Sequence, residues 1–327
     1  MKSLCFAVAT ALILPLTASA GTQLERVQAG WEQWIKDNDV TKSTITVSKG
    51  GKIIMSMGHG TDAQTPMPFA SLGKAITASC TAHAINDGLF TFSDTVGTLL
   101  GDTIFVKDTN ADITVGQLIT HGSGLAPDQT QKPMQRWVGG DTVVHDKAAK
   151  TALSRAPQNA ARNTYYYNNE NYAILGRIIE VTSGQTYEAY CNEAVLKPLG
   201  ITTQTLSTIY GPFAAFGGWS MSADDYTHFV IGTFGDGGTL GAEPTAYPST
   251  ALNAKVNYGM GTFWREFNGA YNHWHFGLLC FGPKNSGGSY FAYYEGKVSV
   301  VVTHNRCVDW DKSFALDAAM AGAVYNR

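Results

Sequence analysis

The chain of 327 residues is 44% hydrophobic and 15% charged, with 23 basic against 26 acidic side chains. That is a globular composition, long enough to bury one large core or two coupled ones. The balance of charge and the lack of any basic run argue against nucleic acid or anionic lipid as the main partner. In chain order, the first twenty residues stand apart. Lys2 gives a short basic start, residues 5–16 an apolar stretch too short to cross a bilayer, and Ala18-Ser19-Ala20 the small residues a signal peptidase reads. The expectation is cleavage after Ala20, export to the periplasm or the medium, and no stable membrane insertion afterwards. No later stretch is apolar enough to span a membrane.

Leu24, Val27, Trp31, Trp34 and Ile35 recur at helical spacing, so the mature chain should open with an amphipathic helix. Residues 44–57 read as two β-rich runs around Lys49-Gly50-Gly51-Lys52, a hairpin signal. After Pro66 and Pro68 a helix is predicted from Ser71 to Asn86, ended by Gly88. From 90 to 230, short helical patterns alternate with Gly, Asn and Pro turns. Strand character returns at 275–281, 289–295 and 297–304, with Glu295-Gly296 as the clearest turn. An Ala-rich helix closes the chain at 311–325. The predicted class is α+β: one antiparallel sheet flanked by the terminal helices, built from about 21–88 and 231–327, with a mainly helical region at 89–230 inserted into a single catalytic unit. Beyond Cys5, Cys80, Cys191, Cys280 and Cys307 are widely spaced without a CxxC or Cys/His cluster. They allow three disulfide pairings or four free thiols, and a zinc site is improbable.

Three constellations carry chemistry. In Ser71-Leu72-Gly73-Lys74, residues three apart on a helix share a face, so Lys74 can reach the Ser71 hydroxyl and act as its base once burial lowers its pKa. The helix start offers the Ser71 N–H, and a positive dipole end, to an attacked carbonyl. In Tyr165-Tyr166-Tyr167-Asn168-Asn169, Tyr167 can shuttle protons, its phenolate favoured by a neighbouring cation, and Asn169 can donate to and accept from a substrate amide. In His275-Phe276-Gly277, Gly277 admits a close backbone approach along a strand, and the next N–H, at Leu278, can pair with that of Ser71 as an oxyanion hole. His273 and His275 share a strand face, but lack the carboxylate or cysteine partners of a metal site. No organic cofactor is implied.

SxxK, YxN and HxG in this order resemble the signature of the β-lactamase-like serine hydrolases. That superfamily includes class C β-lactamases, serine D-Ala-D-Ala carboxypeptidases, D-aminopeptidases and β-lactamase-like esterases. The resemblance extends to Leu89 and its neighbours to Val96, to ITVGQLITHGSGL at 113–125, to LKPLGI at 196–201, to GGWSMS at 217–222 and to YGMG at 258–261. It implies that Ser71 is acylated, that Lys74 and Tyr167 move protons, that Asn169 helps hold the substrate and that His275 shapes the field around Tyr167. One position departs. Relatives that bind β-lactams or D-Ala-D-Ala have Thr or Ser where this chain has Phe276, which cannot donate a hydrogen bond to a substrate carboxylate. The expected substrate is therefore a D-amino peptide or amide, or an ester, ahead of a β-lactam or D-Ala-D-Ala. Two other readings compete: an α/β-hydrolase esterase using Ser220 in Gly218-Trp219-Ser220-Met221-Ser222, whose elbow lacks the final Gly, and a penicillin-binding-type sensor or scaffold without turnover.

Overall fold

A computed structural model describes residues 21–156 and 161–326. The expected signal segment, 1–20, lies outside the described residues. Thr22 and Glu25 close a capping box on helix α1 (Gln23–Asp37), which buries Val27, Trp31, Trp34 and Ile35 as its periodicity predicts. Strands β1 (Ser43–Lys49) and β2 (Lys52–His59) form the predicted hairpin. Gly50 and Gly51 both take positive φ, +56° and +76°, as a two-residue turn that follows strand twist requires. Strand β3 (Met67–Pro68) leads through a tight turn at Ala70–Leu72 into α2 (Gly73–Asn86).

Helices α3 (Val96–Leu100), α4 (Asp108–Ala111), α5 (Val115–Ile119), α6 (Gln131–Trp137), α7 (His145–Leu153), α8 (Asn169–Ser183) and α9 (Tyr187–Cys191) make the mainly helical region. Short strands β4 (Thr205–Leu206) and β5 (Trp219–Met221) follow, then α10 (Ala223–Phe234). Helix α10 packs on β1 and β2, so the chain has already returned to the sheet there. The last segment supplies β6 (Thr250–Ala251), β7 (Asn257–Gly259), β8 (Thr262–Phe267), β9 (Ala270–Cys280), β10 (Ser286–Tyr294), β11 (Val298–His304) and α11 (Trp310–Tyr325).

One eight-stranded sheet runs β2-β1-β11-β10-β9-β8-β7-β6, antiparallel throughout. The predicted class holds, but three strands of this sheet were missed. Two of these have only two or three residues, and β8 carries Arg265 and Glu266, which hide its alternation. Alternation sorts the sheet's core into two layers. Phe276, Tyr290, Ala292, Val300 and Val302 face α1 and α11, while Leu279, Phe291, Tyr293 and Val301 face α2, α10 and the helical region. An antiparallel sheet excludes the α/β-hydrolase reading, whose nucleophile elbow follows a strand of a parallel sheet. Ser220 instead lies in β5, in a second sheet ordered β3-β5-β4.

The cysteines pair as Cys80–Cys191 and Cys280–Cys307, with Cα separations of 5.4 and 5.2 Å. The first ties α2 to α9. The second ties the end of β9 to the segment before α11.

Candidate active site

Ser71 stands at the turn into α2, and its position is fixed from three sides. The Phe69 N–H donates to Trp219 O at 2.9 Å, the Ser289 hydroxyl donates to Phe69 O at 2.6 Å, and the Tyr226 hydroxyl donates to Leu72 O at 2.9 Å. Ala70, immediately before the serine, is held at φ +49°, a left-handed conformation that costs energy for a residue with a Cβ. Gly277 explains how the turn reaches the sheet. A Cβ there would lie 2.5 Å from Ser289 Oγ, 2.6 Å from Phe69 O and 2.9 Å from Ala70 Cβ. The close approach that this glycine permits includes that of the turn carrying Ser71, which the sequence did not disclose.

Lys74 is wholly buried, and its Nζ lies 3.2 Å from Ser71 Oγ, 2.8 Å from Asn169 Oδ1 and 2.8 Å from Phe216 O. Burial lowers its pKa to about 7, against an opposing pull from Asp128. A neutral amine has two N–H groups and one lone pair. Asn169 Oδ1 and Phe216 O can take the two hydrogens, which leaves the lone pair for the Ser71 hydroxyl proton. Tyr167 OH donates to the same Ser71 Oγ at 2.7 Å. Burial raises the Tyr167 pKa, partly offset by the bond to Ser71 and reinforced by Asp128. The expected phenolate character is therefore corrected: Tyr167 rests as a phenol, because desolvation outweighs the bond to Ser71.

Asn169 also departs from expectation. Its amide nitrogen donates to Thr130 Oγ1 at 3.1 Å and to Asp128 Oδ2 at 3.2 Å, while its oxygen faces Lys74. Both hydrogens are committed to protein, so its geometry holds the lysine more than it serves a substrate amide. The stretch at 113–125 has a role that the sequence did not disclose. The Asn168 N–H and the Asn171 amide both donate to His121 Nδ1, at 3.3 and 3.1 Å, and Ser123 Oγ donates to Asn171 Oδ1 at 2.6 Å. Asn168 Nδ2 donates to Leu125 O at 2.8 Å. This buried network clamps the Tyr167-Asn168-Asn169 turn onto the segment that follows α5. Asp128, Thr130 and the Phe216 carbonyl were missed as well, since nothing local marks a carbonyl or a loop carboxylate as a partner of a distant lysine.

His275 does not touch Ser71. Its ring centre lies 6.1 Å from that of Tyr167, its Nδ1 donates to Phe276 O at 2.6 Å, and Tyr258 OH lies 3.4 Å from Nε2. Burial, with Lys74 adding to it, lowers its pKa to about 3. It is a neutral imidazole. Phe276 points to the opposite face, among Tyr290, Trp310 and Phe314. Strand β8 pairs with β9 only as far as Phe263–Trp274, so the edge of β9 from His275 to Cys280 is open along the cleft. Leu278 lines that cleft together with Ser71. Among the described residues no group of three or more His, Cys, Asp or Glu could hold a metal ion.

The Beta-lactamase family model matches residues 35–320. The chain belongs to the Beta-lactamase family. It is similar to penicillin-binding protein 4 of Amycolatopsis lactamdurans, 27% identical over 153 residues, which are 45% of this chain and 38% of that protein. The match thus spans well under half of that curated relative. Among solved structures, a D-amino acid amidase from Ochrobactrum anthropi SV3 complexed with D-phenylalanine aligns with a TM-score of 0.76 at 14% identity, covering 93% of this chain and 99% of that one. The octameric penicillin-binding protein homologue from Pyrococcus abyssi aligns with a TM-score of 0.74 at 20% identity, covering 91% and 76%.

Proposed function

We propose that this member of the family is an exported serine hydrolase that cleaves an amide or ester bond through an acyl-enzyme on Ser71. The observation that carries the reading is the arrangement around Ser71 Oγ: an amine poised near neutrality at 3.2 Å and a phenol donating at 2.7 Å. As Ser71 Oγ bonds to the substrate carbonyl carbon, its proton passes to neutral Lys74. The oxyanion forms beside the N–H groups of Ser71 and Leu278. The bond to the leaving oxygen or nitrogen then breaks as that atom takes the Tyr167 proton. Lys74, whose Nζ is 4.8 Å from the Tyr167 ring centre, returns its proton to the phenolate. Water repeats the sequence on the acyl group, giving its proton to Lys74 while Ser71 departs with one from Tyr167.

A D-amino amide or an ester is the preferred substrate. Among the described residues no lysine or arginine lines either cavity at the site, whereas Asp309 does, which disfavours a substrate carboxylate. This counts against the β-lactamase and D-Ala-D-Ala carboxypeptidase alternatives. Two disulfides support export, since such bonds persist in oxidising compartments. The experiment incubates the mature protein and Ser71→Ala with D-phenylalanine amide, the methyl ester of D-alanine and benzylpenicillin, following intact mass and substrate loss. Turnover of amide or ester that needs Ser71 supports the reading. Turnover of benzylpenicillin alone would move the assignment to β-lactamase, and a persistent adduct without turnover to a sensor.

A further inference from the structure

The cleft that holds Ser71 has a volume of about 400 Å³, and a second cavity of about 620 Å³ opens on the other side of Tyr167. Tyr167 and Trp310 line both, so the two cavities lie side by side at the proposed proton donor. The second cavity is walled by Tyr165, Val256, Phe263, Trp274, Phe276 and Phe314 among others, and among the described residues no charged side chain lines it. Its rings are already paired with each other. Phe263 stacks on Trp274 at 5.8 Å, and Phe276 meets Phe314 edge-on at 5.5 Å. Its one titratable ring besides the tyrosines, His275, is neutral at physiological pH. At the rim, Trp310 and Phe314 are 55% and 53% exposed, large aromatic surface that α11 leaves uncovered.

Resting on the acyl-enzyme reading above, we infer that this aromatic chamber takes the departing half of the substrate, and that this half is a bulky, neutral, preferably aryl group. The direction follows from the proton donor. The carbonyl carbon must lie at Ser71 and its oxygen beside the Ser71 and Leu278 N–H groups in the cleft. The leaving atom must lie within reach of Tyr167 OH, and whatever that atom carries continues past Tyr167 into the chamber. The chemistry follows from the walls. A carboxylate or ammonium there would lose its hydration without gaining a partner, whereas an aryl group removes apolar surface from water on both itself and the walls.

The test compares the methyl and 2-naphthylmethyl esters of D-alanine. They leave the same D-alanyl adduct and release alcohols of similar acidity, so kcat/KM and the rate of adduct formation report leaving-group binding alone. The native enzyme should prefer the naphthylmethyl ester by tenfold or more. Val256→Trp, which fills the chamber, should bring the ratio towards one. Phe314→Ala, at an exposed position where folding is safe, should lower it several-fold and decides the matter if the tryptophan variant does not fold. Equal rates for the two esters, or a ratio unmoved by these variants, would overturn the chamber's role while leaving the Ser71 adduct intact. No adduct from either ester would overturn both readings.

Discussion

Replacing Asp128 by Asn tests whether the amine of Lys74 is the base. The path from Lys74 Nζ to Asn169 Oδ1 is 2.8 Å, and that from Asn169 Nδ2 to Asp128 Oδ2 is 3.2 Å. The amide between them puts the two charges about 7 Å apart, worth about 2 kcal/mol at an effective dielectric of 20 as an upper bound. Asp128 is partly exposed, so screening reduces this, and a change of about half to one pKa unit is expected. The sign is fixed: the carboxylate stabilises the ammonium, so its removal lowers the Lys74 pKa. For native protein, kcat/KM for an ester should rise with pH through a midpoint at about 7 as Lys74 loses its proton. In Asp128→Asn the midpoint should move to lower pH by that half to one unit. Asparagine keeps an oxygen for Thr130, which limits structural disturbance. The assay is the pH profile of acylation with a single ester, with circular dichroism confirming the fold at each pH. A native midpoint near that of an ordinary lysine, or an unmoved midpoint in the variant, would refute the assignment of Lys74 as a base tuned by burial and Asp128.

Tyr167→Phe removes the proton donor to the leaving atom, so kcat/KM should fall by about 10²–10⁴ for amides and alkyl esters, and much less for activated aryl esters that leave without a proton. Similar losses for both would argue for a purely structural tyrosine. Gly277→Ala forces a Cβ to within 2.6 Å of Phe69 O, so the turn carrying Ser71 must shift. Acylation should drop at least tenfold with far-ultraviolet circular dichroism unchanged, and near-native rates would show that the turn adapts. Cys307→Ser opens the link across 27 residues between β9 and the segment leading to α11. Thermal unfolding should register a loss of about 2–4 kcal/mol, and KM should rise because Val308, Asp309 and Trp310 wall the cleft. A stable variant with native KM would mean that this wall is held by packing alone.

Much of this site was legible because helix and strand periodicity are local. Three-residue spacing put Lys74 beside Ser71, and Gly50-Gly51 and Glu295-Gly296 marked hairpins that the structure contains. The order of SxxK, YxN and HxG gave the family. Asn169, Gly277 and Phe276 were recognised as special, yet the partners each one meets were not. Asn169 faces a lysine 95 positions away, Gly277 makes room for the Phe69-Ala70 backbone, and Phe276 packs towards α11.

The sequence by itself determined the family and the class of fold and singled out the candidate reacting groups, because each is written in spacings of a few residues. Only the tertiary structure decided the protonation states, the two disulfides and the presence of a chamber beyond Tyr167. Burial sets the first, since it is desolvation that brings Lys74 to about 7 and His275 to about 3. The disulfides and the chamber depend on which distant segments meet: β9 with the segment before α11, and Tyr165, Val256, Trp274 and Phe314 around one cavity. No local pattern encodes such meetings, because the contacts that close them span the chain and form only when the sheet and its helices pack together.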